Sequence, residues 1–137
     1  LVVERDGLLR WALYESLREG GYRILAVRDA VGAHELLEGT DARFDAAIVD
    51  DASWPLTAAA ETWLRERWPG LPLLVLTGDA SPALEHHVRR IGRADLLVKP
   101  FELPELLARV GRLVARGRRS RRREGRRRAA VPAAPLV

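Results

Sequence analysis

The sequence predicts an α/β fold, a doubly wound open parallel sheet of (βα)₅ form, and three observations carry that prediction. Short apolar runs alternate five times with longer segments of helical period, the pattern of a parallel sheet wrapped by helices. Several of the runs are nearly continuous in apolar residues, as strands buried on both faces are. The 137 residues hold one domain with a real core, and not comfortably two.

The strands predicted are Leu1 to Glu4, Tyr22 to Val27, Ala46 to Val49, Leu73 to Thr77 and Leu96 to Val98. Leu8 to Arg18 places Leu9, Ala12, Leu13, Ser16 and Leu17 on one side of a first helix, which Gly20-Gly21 stops. A second helix spans about Ala30 to Glu38 before Gly39, and a third about Thr57 to Trp68 before Pro69-Gly70. Ser81 caps a fourth, with Pro82 in its first turn and Glu85 nearby. The fifth begins near Glu102, with Leu103, Leu106, Leu107, Val110, Leu113 and Val114 at spacings of three and four. Trp11, Trp63 and Trp68 fall on helices and read as core or groove packing.

Composition narrows the class. With 47% hydrophobic and 31% charged residues the chain reads as soluble and globular rather than disordered or fibrous. No apolar run approaches the roughly 18 residues that cross a bilayer. The start, Leu1-Val2-Val3-Glu4, lacks the basic flank and cleavage site of a signal peptide, so the expectation is a cytoplasmic protein with no membrane partner. Zero cysteines exclude disulfides, thiol catalysis and cysteine-based zinc sites.

The net charge of +4 averages two unlike regions. Between 116 and 128 stand nine arginines and one glutamate, which leaves 14 basic and 18 acidic residues for the rest. A mildly acidic domain over 1–116 and a basic, disordered tail over 117–137 are therefore expected. Such a tail has the charge to bind nucleic acid or anionic lipid through counterion release. It has no aromatic residue and no helix-turn-helix pattern, so sequence-specific reading of DNA is not expected.

In a doubly wound sheet the ligand site lies beyond the carboxyl ends of the strands. Those ends carry Glu4 and Asp6, Asp50 and Asp51, Thr77, and Lys99. Two acidic clusters, a hydroxyl and a lysine at one edge suit phosphoryl transfer to a carboxylate, which needs cations to neutralise the phosphoryl oxygens. Mg²⁺ takes one or two carboxylates plus water and phosphate oxygens, a set that Glu4 and Asp50 could supply.

Four blocks, Val2-Val3-Glu4-Arg5-Asp6, Phe44-Asp45-Ala46-Ala47-Ile48-Val49-Asp50, Leu76-Thr77-Gly78 and Leu97-Val98-Lys99-Pro100-Phe101, resemble the motifs of the receiver domain of bacterial two-component response regulators, in family order. The resemblance covers Leu1 to about Arg116. It implies a flavodoxin-like three-layer sandwich of strand order 2-1-3-4-5 and a cis bond before Pro100. It further implies a phosphoacceptor at Asp50, phosphate contacts from Thr77 and Lys99, and Mg²⁺ held by Glu4 and Asp50. As partners it implies a histidine kinase or phosphotransfer protein and a downstream protein.

The chain departs from the family's pattern at four places. The family usually has two adjacent acids after the first strand, the second being the main metal ligand of that loop; here they are Glu4 and Arg5, with Asp6 a position not normally ligating. Receivers commonly place proline four residues past the acceptor, whereas Pro55 lies five past Asp50 and four past Asp51, so the upstream block selects Asp50 and the downstream one Asp51. Ser53-Trp54-Pro55 sets a large ring near the expected site. The aromatic residue many receivers carry three before the lysine is here Leu96.

Arg5 has two readings, one pairing with Asp50 in the metal's place and one pointing into solvent. His86-His87, on the fourth helix, reads as a solvated face. Three functions follow from the sequence: a receiver phosphorylated on Asp50 that alters partner binding, a degenerate receiver acting as a protein-interaction module, and a basic-tailed non-specific nucleic-acid accessory protein.

Overall fold

The computed structural model describes residues 1–130 and contains five parallel strands and five helices in strict alternation. The strands are β1 (Val2–Val3), β2 (Ala26–Val27), β3 (Ala47–Asp50), β4 (Leu73–Thr77) and β5 (Ala94–Val98). The helices are α1 (Gly7–Glu19), α2 (Ala30–Leu37), α3 (Ala58–Arg67), α4 (Pro82–Ile91) and α5 (Leu103–Ala130). The sheet order is β2-β1-β3-β4-β5, every pair parallel.

Successive strand residues face opposite sides of the sheet, and the core divides accordingly. Val3 and Val49 pack with Ala33 and Leu37 of α2 and Ala60 and Leu64 of α3, while Val2, Ile48, Leu74 and Leu76 pack with Leu13 and Leu17 of α1 and Leu106, Val110 and Leu113 of α5. The chain is thus a three-layer sandwich. Each of the first four helices starts on a polar cap: Asp6, Asp29, Thr57 and Ser81 accept hydrogen bonds from first-turn amides. Thr57 is a cap rather than the first helical residue that the sequence suggests. Gly92 closes α4 at φ 77°, a left-handed conformation that favours glycine. The bond before Pro100 is cis, as the resemblance implies.

Three expectations are corrected. The basic segment does not begin as a disordered tail at 117, because α5 runs on as helix to Ala130; the part of that expectation concerning 131–137 lies outside the described residues. Gly117 makes this possible: a Cβ there would meet the Asp45 carbonyl oxygen at 2.3 Å, so only glycine lets α5 pass so close to the turn before β3. Past it, Arg118 and Arg121 pair with Asp45, and Arg93 donates to Ser120 Oγ at 2.8 Å. Trp11 is not core, being 62% exposed, whereas Trp68 is buried and donates its indole N–H to the Ala42 carbonyl at 2.7 Å. His87 is not simply solvated; its Nε2 lies 2.6 Å from Glu61 Oε1 and ties α4 to α3, while His86 is exposed.

Candidate functional site

The sequence places an acid at the end of β1 and another at the end of β3, and the parallel pairing of Val3 with Val49 puts them side by side at the carboxyl edge. Glu4 is 1% exposed and Asp50 3%. Two carboxylates out of water need a cation between them. Lys99, just past β5, supplies it: Nζ donates to Glu4 Oε2 at 2.8 Å and to Asp50 Oδ1 at 3.0 Å.

The other two carboxylate oxygens are also engaged. Asp50 Oδ2 accepts the Ser53 hydroxyl at 2.5 Å and the Ser53 amide at 2.9 Å, and Glu4 Oε1 accepts the Asp6 amide at 3.0 Å. Ser53 Oγ is itself held by the Arg5 amide at 2.8 Å, so the loops after β1 and β3 are stitched across the pocket. Burial pushes the Asp50 carboxyl upward, but the hydrogen bonds from Ser53 and Lys99, with the lysine's charge, more than offset it and hold the group below its ordinary value of 3.8. Burial likewise pulls Lys99 down, and its bonds to Glu4 and Asp50 outweigh that and hold it above 10.5.

Of the predicted set, the structure brings Glu4, Asp50 and Lys99 into direct contact. Thr77 is buried on the same edge and its carbonyl accepts the Lys99 amide at 2.7 Å, but its hydroxyl donates to Asp51 Oδ2 at 3.1 Å rather than to Asp50. Arg5 is exposed and forms no ion pair among the described residues, which removes the reading that pairs its guanidinium with Asp50. Asp6 is the α1 cap, accepting from Leu8 and Leu9 amides at 2.9 and 3.0 Å, and is thereby committed to the helix. Asp6→Ala is expected to cost about 1 kcal/mol in urea unfolding. Trp54 does not crowd the pocket, because its ring is buried in the core against His34 and Trp63.

Receiver domains typically use Mg²⁺, and the resemblance assigns it to Glu4 and Asp50. The residues as arranged do not fit that ion. An ammonium bridges the two carboxylates, each of their four oxygens has a donor, and no group of three acidic, histidine or cysteine side chains able to hold a metal occurs among the described residues. Ser53 is the residue that the sequence reading missed. Its signal was an acid followed three residues later by a hydroxyl, the spacing at which a side chain closes a turn.

No family model matches the sequence. Among curated proteins, the response regulator MprA of Mycobacterium sp. (strain KMS) is 36% identical over 118 residues, 85% of this chain and 50% of that protein. The two-component response regulator PhoP of Pseudomonas aeruginosa is 33% identical over 139 aligned positions, 100% of this chain and 58% of that protein. The response regulator protein FleR of the same species is 34% identical over 114 residues, 82% of this chain but 24% of that protein. The chain therefore spans between about a quarter and three fifths of the length of these relatives. Among solved structures, the chemotaxis response regulator CheY4 of Vibrio cholerae superposes with a TM-score of 0.68 at 26% identity, covering 82% of this chain and 94% of that one. NtrX of Brucella abortus, at 20% identity and a TM-score of 0.78, covers 99% of this chain and shares the fold. No helix among the described residues is long and apolar enough to cross a membrane. Sequence identity to response regulators, the 2-1-3-4-5 sheet and the Lys-Pro step after β5 converge on one assignment: the chain is a receiver domain of the response-regulator family, a non-enzymatic signalling module.

Proposed function

We propose that this receiver, whose domain proper is 1–116, takes a phosphoryl group on Asp50 from a histidine kinase or phosphotransfer protein and thereby alters its affinity for a downstream protein partner. The observation that carries the reading is the 3.0 Å contact between Lys99 Nζ and Asp50 Oδ1 at the carboxyl edge of the sheet. A carboxylate oxygen of Asp50 forms the new bond to phosphorus while the donor's bond to phosphorus breaks and its electron pair leaves with the donor. The Lys99 ammonium stands where the incoming negative charge arrives. Asp51 is the weaker acceptor: it lies in the turn, half-buried, and meets a neutral hydroxyl rather than a cation.

A second reading is supported by one specific observation, the full set of donors around both carboxylates. It is a receiver held in one state as a protein-interaction module, without phosphorylation. Intact-mass spectrometry after incubation with acetyl phosphate separates the two readings, with and without Mg²⁺. The expected result is one added phosphoryl group in the wild-type chain and in Asp51→Asn, and none in Asp50→Asn. No label on the wild-type chain under either condition overturns the acceptor reading and leaves the interaction module. In Ser53→Ala, which removes the hydroxyl's hydrogen bond to Asp50 Oδ2 and leaves the amide's, labelling is expected to be faster than in the wild type.

A further inference from the structure

The helical state of residues 116–128 turns a charge run into an ordered surface. An α-helix advances 1.5 Å and about 100° per residue, so its arginines sort onto separate faces. One face is docked: Gly117 sits against Asp45 and Pro72, and Arg118 and Arg121 pair with Asp45. A second holds Arg116, Arg119, Arg123 and Arg127, at spacings of three and four. All four are exposed, and none is ion-paired among the described residues.

This row forms one wall of a groove of about 730 Å³, with the 69–72 turn and Arg93 opposite. Arg93 is fixed there by the Gly70 carbonyl at 3.0 Å and Ser120 Oγ at 2.8 Å. The one acid in the lining, Glu124, is paired with Arg128. Like charges three and four residues apart weaken a helix, and a repeating anion laid along the row relieves that repulsion.

The geometry points to the phosphate backbone of double-stranded nucleic acid as the ligand of this groove, bound without reading of the bases; we propose that α5 and Arg93 form that site. Four guanidinium groups stand in line at steps of about 4.5 to 6 Å, and the planar fork of each matches a phosphate. A lipid surface is disfavoured because the exposed residues of 115–128 are arginine, alanine, glutamate and glycine, with no large apolar group to enter a membrane. Single strands are disfavoured because the groove has no aromatic ring on which a base could stack. The groove lies at the amino edge of the sheet, beside the residues that precede β3, β4 and β5, so it is independent of the Asp50 pocket.

Fluorescence anisotropy of the full chain with a labelled 20-base-pair duplex of arbitrary sequence tests the proposal. With five phosphates neutralised, four by the row and one by Arg93, affinity is expected to fall about 500-fold between 50 and 200 mM salt. Changing Arg116, Arg119, Arg123 and Arg127 together to Gln is expected to abolish binding. The same change at Arg118, Arg121, Arg122 and Arg126 removes equal charge and is expected to preserve most of it, circular dichroism confirming the helix in both. Arg93→Gln alone is expected to weaken binding and to flatten the salt dependence by about one phosphate. Equal losses in the two quadruple variants, salt-independent or absent binding, tighter binding of single strands, or preferred binding to vesicles of phosphatidylcholine and phosphatidylserine would each overturn it.

Discussion

Lys99→Met is expected to destabilise the domain by about 3 kcal/mol, because it leaves two buried carboxylates without their shared cation. Glu4 and Asp50 are 1% and 3% exposed, so water cannot take over the lysine's role. The loss is read as a fall in the urea midpoint at pH 7, with an unchanged denaturant slope showing that the fold itself persists. Adding Glu4→Gln to Lys99→Met removes one of the stranded charges and is expected to recover part of the loss. If Lys99→Met is neutral, the cluster is solvated in a way that its burial does not indicate. The same cluster sets a pH dependence. Asp50 titrates below 3.8 in the folded state, so its contribution is complete above that value and disappears as pH falls through the folded one. Lys99 titrates above 10.5, so its contribution is complete below that value and disappears as pH rises through the folded one. Lys99→Met is therefore expected to narrow its difference from wild type at both pH extremes, as urea midpoints across the range will show.

Gly117→Val is expected to cost about 3 kcal/mol and Gly117→Ala about 1 to 2, against a small gain from Gly125→Ala in the same helix. The two glycines differ in what faces them. A Cβ at 117 meets the Asp45 carbonyl oxygen at 2.3 Å and Pro72 Cδ at 3.3 Å, neither of which is the movable tip of a long side chain. At 125 nothing lies within 4 Å, and alanine simply favours the helix. Thermal unfolding of the three variants gives the ranking. A wild-type melting temperature in Gly117→Val would mean that α5 does not approach the turn before β3 closely. The same variant is expected to separate the Arg118 and Arg121 side chains from Asp45, since the helix must move outward to make room.

The sheet was legible because its strands are apolar runs with few other roles to play. β4 matches its expected bounds, and the strand-end acids and lysine fall at one edge as the doubly wound rule requires. Strand lengths were less legible. Tyr22 to Val27 reads as one strand, but only Ala26 and Val27 form the ladder, since an edge strand can be short while its flanking residues still pack inward. Trp11 was misplaced because helical period fixes the face and not the partner: Leu13 and Leu17 fill the α1 interface, and the indole falls outside it. The tail was misread because composition weighs charge against helix formation and does not see that glycine at 117 permits docking. Within the pocket, residue types announced acid, ammonium and alcohol, but not which oxygen each would meet. That depends on the loop after β3, which brings Ser53 onto Asp50 and sets Asp51 against the Thr77 hydroxyl.

The 28 residues of α5 form one uninterrupted rod about 42 Å long, anchored near its start by Leu106, Val110 and Leu113. Its first turn follows Lys99 and its last arginines line the groove at the opposite rim. A rotation of about 5° around the anchored part would carry the far end through about 2 Å, enough to exchange one side-chain contact for the next. The helix thus has the dimensions of a lever, with a short arm at the acidic pocket and a longer one along the amino-edge groove.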